Sequence, residues 1–212
     1  MPNIPSLVEG FRRFRARHFS GEGHTYVRLR EGQSPITLVV ACSDSRVDPA
    51  IVLDADPGDL FVVRNVANLV PPYDTDGGRH GVSAALEFGV RALGVKNILV
   101  MGHAKCGGIR ALLEGTQGEF IPQWMSIAGA ARAEALVAAA HLDAEHRERA
   151  LEFAAMRLSL RNLRGFPWIA SAVDAGTLAL HAWYFDLERG ELLRVPADGG
   201  EPEVLCAGDP TP

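Results

Sequence analysis

Cysteine, aromatic residues and excess charge of either sign are all scarce in this chain. Three cysteines among 212 residues are an odd number, which fits a reducing compartment better than a disulfide framework. None of them form Cys-x-x-Cys, which excludes a thioredoxin-like redox site. A formal net charge of -5 gives no global reason to expect nucleic acid or a membrane surface as a partner. No apolar run approaches the ~20 residues needed to cross a bilayer. A G-x-S-x-G nucleophile elbow is missing, and the glycines near position 107 are not followed by a Walker lysine pattern. The start, Met1 to Ser6, lacks the charged-then-apolar layout of a secretory signal, so the expected location is cytoplasmic.

The chain is 47% hydrophobic, enough for one sizeable core, and the expectation is a single domain over 1–212. Residues 1–30 read as an N-terminal helical arm. Ser6 with Glu9 predicts a capping box, and Leu7, Phe11 and Phe14 recur at helical spacing, a stripe suited to packing on a second subunit. Ile36 to Ala41, Leu60 to Val63 and Ile98 to Met101 are unbroken apolar runs, the pattern of strands covered on both faces. Helices are predicted over Pro49–Leu53, Val82–Leu93 (closed by Gly94) and Ile109–Leu113. Further on, Gln123–Ala140 and Asp143–Leu163 read as two helices, and Phe166 begins a shorter one. Thr177–Asp186 and Glu191–Val195 read as a strand and its hairpin partner. The alternation predicts an α/β fold with a parallel-core sheet, flanking helices and an antiparallel edge strand or hairpin. Residues 197–212, rich in Gly, Pro and acid, read as a frayed tail in which Cys206 is incidental.

Chemistry concentrates in two stretches, Ala41-Cys42-Ser43-Asp44-Ser45-Arg46 and Gly102-His103-Ala104-Lys105-Cys106-Gly107-Gly108. Each follows a predicted strand, and ligands in open α/β sheets bind just past strand carboxyl ends. His103 and Cys106 are two residues apart, so one turn can aim both at a point. Cys42 and Asp44, at i and i+2, lean to the same side of extended backbone. Two thiolates and an imidazole suit tetrahedral zinc and are poorly suited to magnesium or calcium.

Cys42-Ser43-Asp44-Ser45-Arg46 together with Gly102-His103-x-x-Cys106-Gly107-Gly108 resembles the zinc signature of the β-class carbonic anhydrases. Pro57-Gly58-Asp59, the run Phe61 to Asn68 and Pro71-Pro72-Tyr73-Asp74 resemble the plant-like branch of that family. The resemblance implies a zinc-dependent homodimer or higher oligomer that reversibly hydrates carbon dioxide to bicarbonate. By position it implies one zinc per subunit on Cys42, His103 and Cys106, with Asp44 and Arg46 as a catalytic dyad. It further implies substrate-pocket roles for Gln33, Phe61, Val66, Phe88 and Gly107, some from a neighbouring subunit. Phe88 stands where plant-like members commonly carry a tyrosine. Another branch holds an inhibitory bicarbonate with a tryptophan, an arginine and a tyrosine; the equivalents here are Val39, Arg64 and Phe185, so that pocket is not expected.

The expected mechanism is hydroxide attack on carbon dioxide, with zinc lowering the pKa of water toward about 7. Two thiolates neutralise the metal's formal charge, so activity is expected to rise toward alkaline pH. Asp44 paired with Arg46 leaves the site open, whereas Asp44 released from Arg46 becomes a fourth ligand and closes it. His80, on a Gly-rich loop, reads as a surface histidine in preference to a proton relay. The alternatives are a hydrolase of carbon disulfide or carbonyl sulfide on the same zinc scaffold, and a non-catalytic structural zinc module.

Overall fold

The computed structural model describes residues 3–21 and 24–208, in two units, Met1–Ser34 and Pro35–Pro212. The first unit contains α1 (Ile4–His18) and α2 (Thr25–Leu29). The cap of α1 is Asn3, not Ser6: Asn3 Oδ1 accepts from the Ser6 N–H at 3.0 Å. Ser6 donates its hydroxyl back to the Asn3 carbonyl, and Glu9 pairs with Arg12. Pro5 explains the earlier start, because its fixed φ and missing N–H suit the first helical turn. Phe19 stacks on Tyr26 with centroids 4.6 Å apart, and Phe14 meets Tyr26 edge-on at 5.8 Å. Ile4, Leu7, Val8 and Phe11 remain exposed.

The second unit begins with β1 (Thr37–Cys42), α3 (Pro49–Val52), β2 (Leu60–Asn65), α4 (Gly81–Glu87) and β3 (Asn97–His103). It continues with α5 (Gly107–Glu114), α6 (Ile121–Met125), α7 (Gly129–Ala138), α8 (Ala144–Arg164) and α9 (Pro167–Asp174). The strands β4 (Ala179–Asp186), β5 (Glu191–Arg194) and β6 (Glu203–Cys206) finish it. Strand order is β2-β1-β3-β4-β5-β6; the first four run parallel, and β5 and β6 are antiparallel. The chain steps outward from β1 to β2 and then returns past β1 to β3. Loops leaving β1 and β3 therefore diverge, which opens a crevice at the carboxyl end of the sheet.

Three departures from sequence expectation have local causes. The helix expected over Val82–Leu93 widens into a π turn over Phe88–Leu93 before Gly94 (φ 68°) ends it. A Cβ on Gly89 would lie 2.4 Å from Leu38 Cδ1, so this turn presses backbone directly onto β1. The helix expected over Gln123–Ala140 breaks into α6, a 3₁₀ turn at Ser126–Ala128, and α7. Trp124 donates its indole N–H to the Val66 carbonyl at 2.8 Å while Met125 and Ala128 are both fully buried. The tighter turn accommodates both demands. Within the expected frayed tail, Glu203–Cys206 pairs with β5 as an edge strand, all four residues exposed. Ladder hydrogen bonds hold it, not burial, which is why its hydrophobicity gives no warning.

The long helix α8 covers the sheet with Leu151, Ala155, Met156, Ser159, Leu160 and Leu163, one stripe at 3.6 spacing. Asp143 caps it by accepting from the His146 N–H. A Cβ at Gly102 would lie 2.4 Å from Met156 Sδ, so glycine on β3 lets α8 lie close beside the site. No helix among the described residues is long and apolar enough to cross a membrane.

Candidate metal centre

Cys42 is the last residue of β1 and His103 the last of β3. Lys105 takes a left-handed backbone (φ 56°), turning the chain so that Cys106 returns beside His103. Cys42, His103 and Cys106, all buried, offer ligand atoms within 4.8 Å of one another. The two sulfurs are 3.9 Å apart. His103 Nδ1 lies 2.9 Å from the Ala104 carbonyl, which can only accept, so Nδ1 carries the proton. Among the described residues, His103 Nε2 is buried without a hydrogen-bond partner. An orphaned imidazole lone pair facing two thiols is costly unless a cation takes it. The donor chemistry is that of zinc.

The two thiols are within hydrogen-bond reach of each other. The hydrogen bond from Cys106 holds Cys42 well below the ordinary thiol range, and the donor Cys106 is pushed up in turn. The Gly108 and Ile109 N–H groups at the start of α5 act in the opposite sense on Cys106, favouring thiolate.

Asp44 stands outside that donor triangle, held by Arg46. Arg46 Nε donates to Asp44 Oδ1 at 2.9 Å, an Nη to Oδ2 at 2.7 Å, and the Arg46 N–H to Oδ1 at 3.0 Å. These bonds hold the carboxyl well below the usual carboxylate range. The same guanidinium reaches the Lys105 carbonyl at 3.0 Å, linking the two loops.

Two supports are hidden in the sequence. Arg64, the penultimate residue of β2, donates to the Cys42 carbonyl (2.8 Å), the Asp44 carbonyl (2.7 Å) and the Asp48 carboxylate (2.7 Å). Asp48 meanwhile caps α3. Arg64 is thus spent on shaping the Cys42–Asp48 loop, and Val39 is wholly buried in the core. On the other side, Glu152 Oε1 accepts the Cys106 N–H at 3.0 Å while Tyr184 donates its hydroxyl to Oε2 at 2.6 Å. Burial pushes the Glu152 carboxyl up, against the pull of these two donors. The available signal for Glu152 was a charged residue within the apolar stripe of α8.

Of the pocket residues, Val66 is beside the donors: a Cβ on Gly108 would lie 2.8 Å from Val66 Cγ1. Gly107 opens α5 next to Cys106. Phe61 and Phe88 are 5.8 Å apart by ring centroid. Phe61 is in register with Leu38, and Cys42 with Asn65, which places Phe61 roughly 13 Å back along β2 from the donor end. This chain does not bring that pair to its own donors. Gln33 belongs to the N-terminal unit, as an exposed residue.

The family model described as carbonic anhydrase matches residues 37–192, which include every donor and the Asp44–Arg46 fork. The chain belongs to this family. Within the β-carbonic anhydrases, it is 42% identical over 184 residues to the chloroplastic β carbonic anhydrase 5 of Arabidopsis thaliana, covering 85% of this chain. It spans 60% of the length of that plant protein. It superposes on the β-carbonic anhydrase CcaA with a TM-score of 0.84 at 34% identity, covering 90% of this chain and 86% of that one. A tetrameric β-carbonic anhydrase from Sordaria macrospora gives 0.74 at 27% identity, covering 97% and 96%. Carbonic anhydrase membership accounts for both the parallel-core sheet and the thiol–imidazole–thiol cluster.

Proposed function

We propose that this protein is a zinc-dependent carbonic anhydrase that interconverts carbon dioxide and bicarbonate, with zinc held by Cys42, His103 and Cys106. The observation that carries the reading is the buried, unpartnered His103 Nε2 facing two thiols, beside a carboxylate locked to a guanidinium. Bound zinc supplies a Lewis acid that makes water acidic enough to serve as a nucleophile near neutral pH.

Asp44 is too acidic to act as a general base near neutrality. It serves as an acceptor instead. Oδ1 already takes two N–H donors and Oδ2 one, so Oδ2 keeps a lone pair for an O–H of the nucleophile and aims it at carbon. Arg46 holds both Asp44 oxygens, so Asp44 would not serve as a fourth ligand, which disfavours a closed structural zinc module. Val66 gives uncharged carbon dioxide an apolar wall.

A second copy of the chain completes the slot. Strand β2 is an open sheet edge, with Val62, Val66 and Phe88 exposed near it. Phe61 and Phe88, remote from the donors of their own chain, reach a neighbour's donors in a homodimer, as does Gln33; the exposed stripe of α1 packs on that neighbour. The Sordaria tetramers support assembly of this kind. A cytoplasmic, reducing setting suits three unbridged thiols.

Stopped-flow carbon dioxide hydration with zinc content measured on the same sample tests the reading. Rapid, zinc-dependent hydration is expected, rising from neutral to alkaline pH. Stoichiometric zinc with no hydration at any pH would overturn it, and turnover of carbon disulfide or carbonyl sulfide instead would replace it. Sedimentation of Phe88→Glu against the native chain tests the assembly, with dissociation expected.

A further inference from the structure

Hydration of carbon dioxide yields one proton per turnover, and that proton must leave the crevice. A cleft of about 810 Å³ begins at Asn65 and Val66 and reaches Asp74, Asp76, Arg79 and His80. Two of its lining residues neighbour the donor loops: the Asn65 carbonyl accepts the Ser43 N–H at 2.9 Å, and Val66 lies against Gly108. Trp124 and Ile127 form an apolar side of the cleft. His80 also lines a second cleft of about 350 Å³, with Tyr73, Glu87 and Trp168. The imidazole therefore lines both the cleft bordered by Asn65 and Val66 and a second one beside it.

We propose that His80, oriented by Asp76, is the proton relay of this enzyme. His80 Nε2 lies 2.6 Å from Asp76 Oδ1. A carboxylate accepts, so Nε2 holds its proton there and Nδ1 keeps the lone pair. A proton arriving along the cleft binds Nδ1 while Asp76 keeps its hold on the Nε2 proton, and Nδ1 then passes the proton to buffer. His80 ends each cycle neutral, with one proton moved and none consumed. Asp76 is itself fixed: its Oδ1 also accepts the Gly78 N–H at 2.7 Å, and its own N–H bonds Asp74 Oδ1 at 3.0 Å. The His80 hydrogen bond, then that of Gly78, holds the Asp76 carboxyl low. A Cβ at residue 78 would sit 2.7 Å from His80 Nε2 and 2.8 Å from Asp76 Oδ1, so a side chain there would have to displace the pair. An ordinary surface histidine needs none of this.

The inference rests on the carbonic anhydrase reading, and its test separates the two. Zinc-loaded native protein, His80→Ala and Asp76→Asn are compared by stopped flow at limiting and at high buffer. Zinc content and the absorption spectrum of the cobalt-substituted proteins are read alongside. His80→Ala is expected to lose kcat about 10²-fold at limiting buffer, the low end for a positioned acid–base group. Its kcat/KM and cobalt spectrum should stay native, and added imidazole should restore kcat; Asp76→Asn should fall between. Native kcat in His80→Ala at limiting buffer overturns the relay, and so does a loss that imidazole cannot restore. Absence of hydration by the native protein overturns the parent reading and the relay with it.

Discussion

After β1, the Cys42–Arg46 loop is held by charge: Arg64 grips two of its carbonyls and Arg46 forks Asp44, with Ser43, Ser45 and Arg46 exposed. After β3, the His103–Cys106 loop is held by burial: the Ala104 N–H bonds the Phe185 carbonyl and the Cys106 N–H bonds buried Glu152. Gly102 and Gly108 admit Met156 and Val66 against it. The second loop only positions donors, so it can be sealed into the core. The first also carries Asp44, which on the proposed reading meets the nucleophile; it lies nearer the surface and is held by ion pairs.

Removing a donor breaks both loops alike. Cys42→Ala or His103→Ala should lose stoichiometric zinc and with it all hydration, measured by metal analysis beside stopped flow. Asp44→Asn separates the loops: zinc stays and kcat falls on the order of 10²-fold. A native rate in that variant would refute the division of labour.

Glu152→Ala probes the sealed loop. Leaving the Cys106 N–H buried and unpaired should cost about 1–3 kcal/mol, read by thermal or denaturant unfolding of the zinc-loaded protein. Glu152→Gln, which keeps an acceptor for that N–H, should cost less; equal losses would show that the bond to Cys106 is not what Glu152 supplies.

A smaller effect is expected in acid. The folded carboxyl of Asp44 lies below its ordinary 3.8, so the fork stabilises the fold fully above the unfolded value. That contribution disappears as pH falls through the folded one. The window is below about pH 4, and acid unfolding should be less steep in Asp44→Asn than in the native chain. Smallest of all, Cys206→Ser on exposed β6 should leave zinc content unchanged and stability within about 0.5 kcal/mol.

The two loops also differ in how much of them the sequence disclosed. Cys42, Asp44, Arg46, His103 and Cys106 were legible because each lies in a short motif just past an apolar run. Arg64 and Glu152 were not, since each acts across the fold on a backbone group, and a backbone carbonyl or N–H leaves no residue type to recognise. Phe61 and Phe88 were singled out only through family resemblance; their own chain holds Phe61 roughly 13 Å behind the donor end, with Phe88 beside it.

Residue identity and spacing alone singled out the Cys42, His103 and Cys106 cluster, its zinc-like donor chemistry and the parallel core, because ligand softness and apolar runs are local properties. Tertiary structure decided the rest. It chose Asn3 over Ser6 as the cap, added β6, and broke the helix before Gly129 so that Trp124 could bond Val66. It set Asp44 on Arg46 and left the His103 Nε2 lone pair without a partner. Those outcomes depend on which groups compete for the same hydrogen bonds and the same buried space, and that competition exists only once the chain has folded.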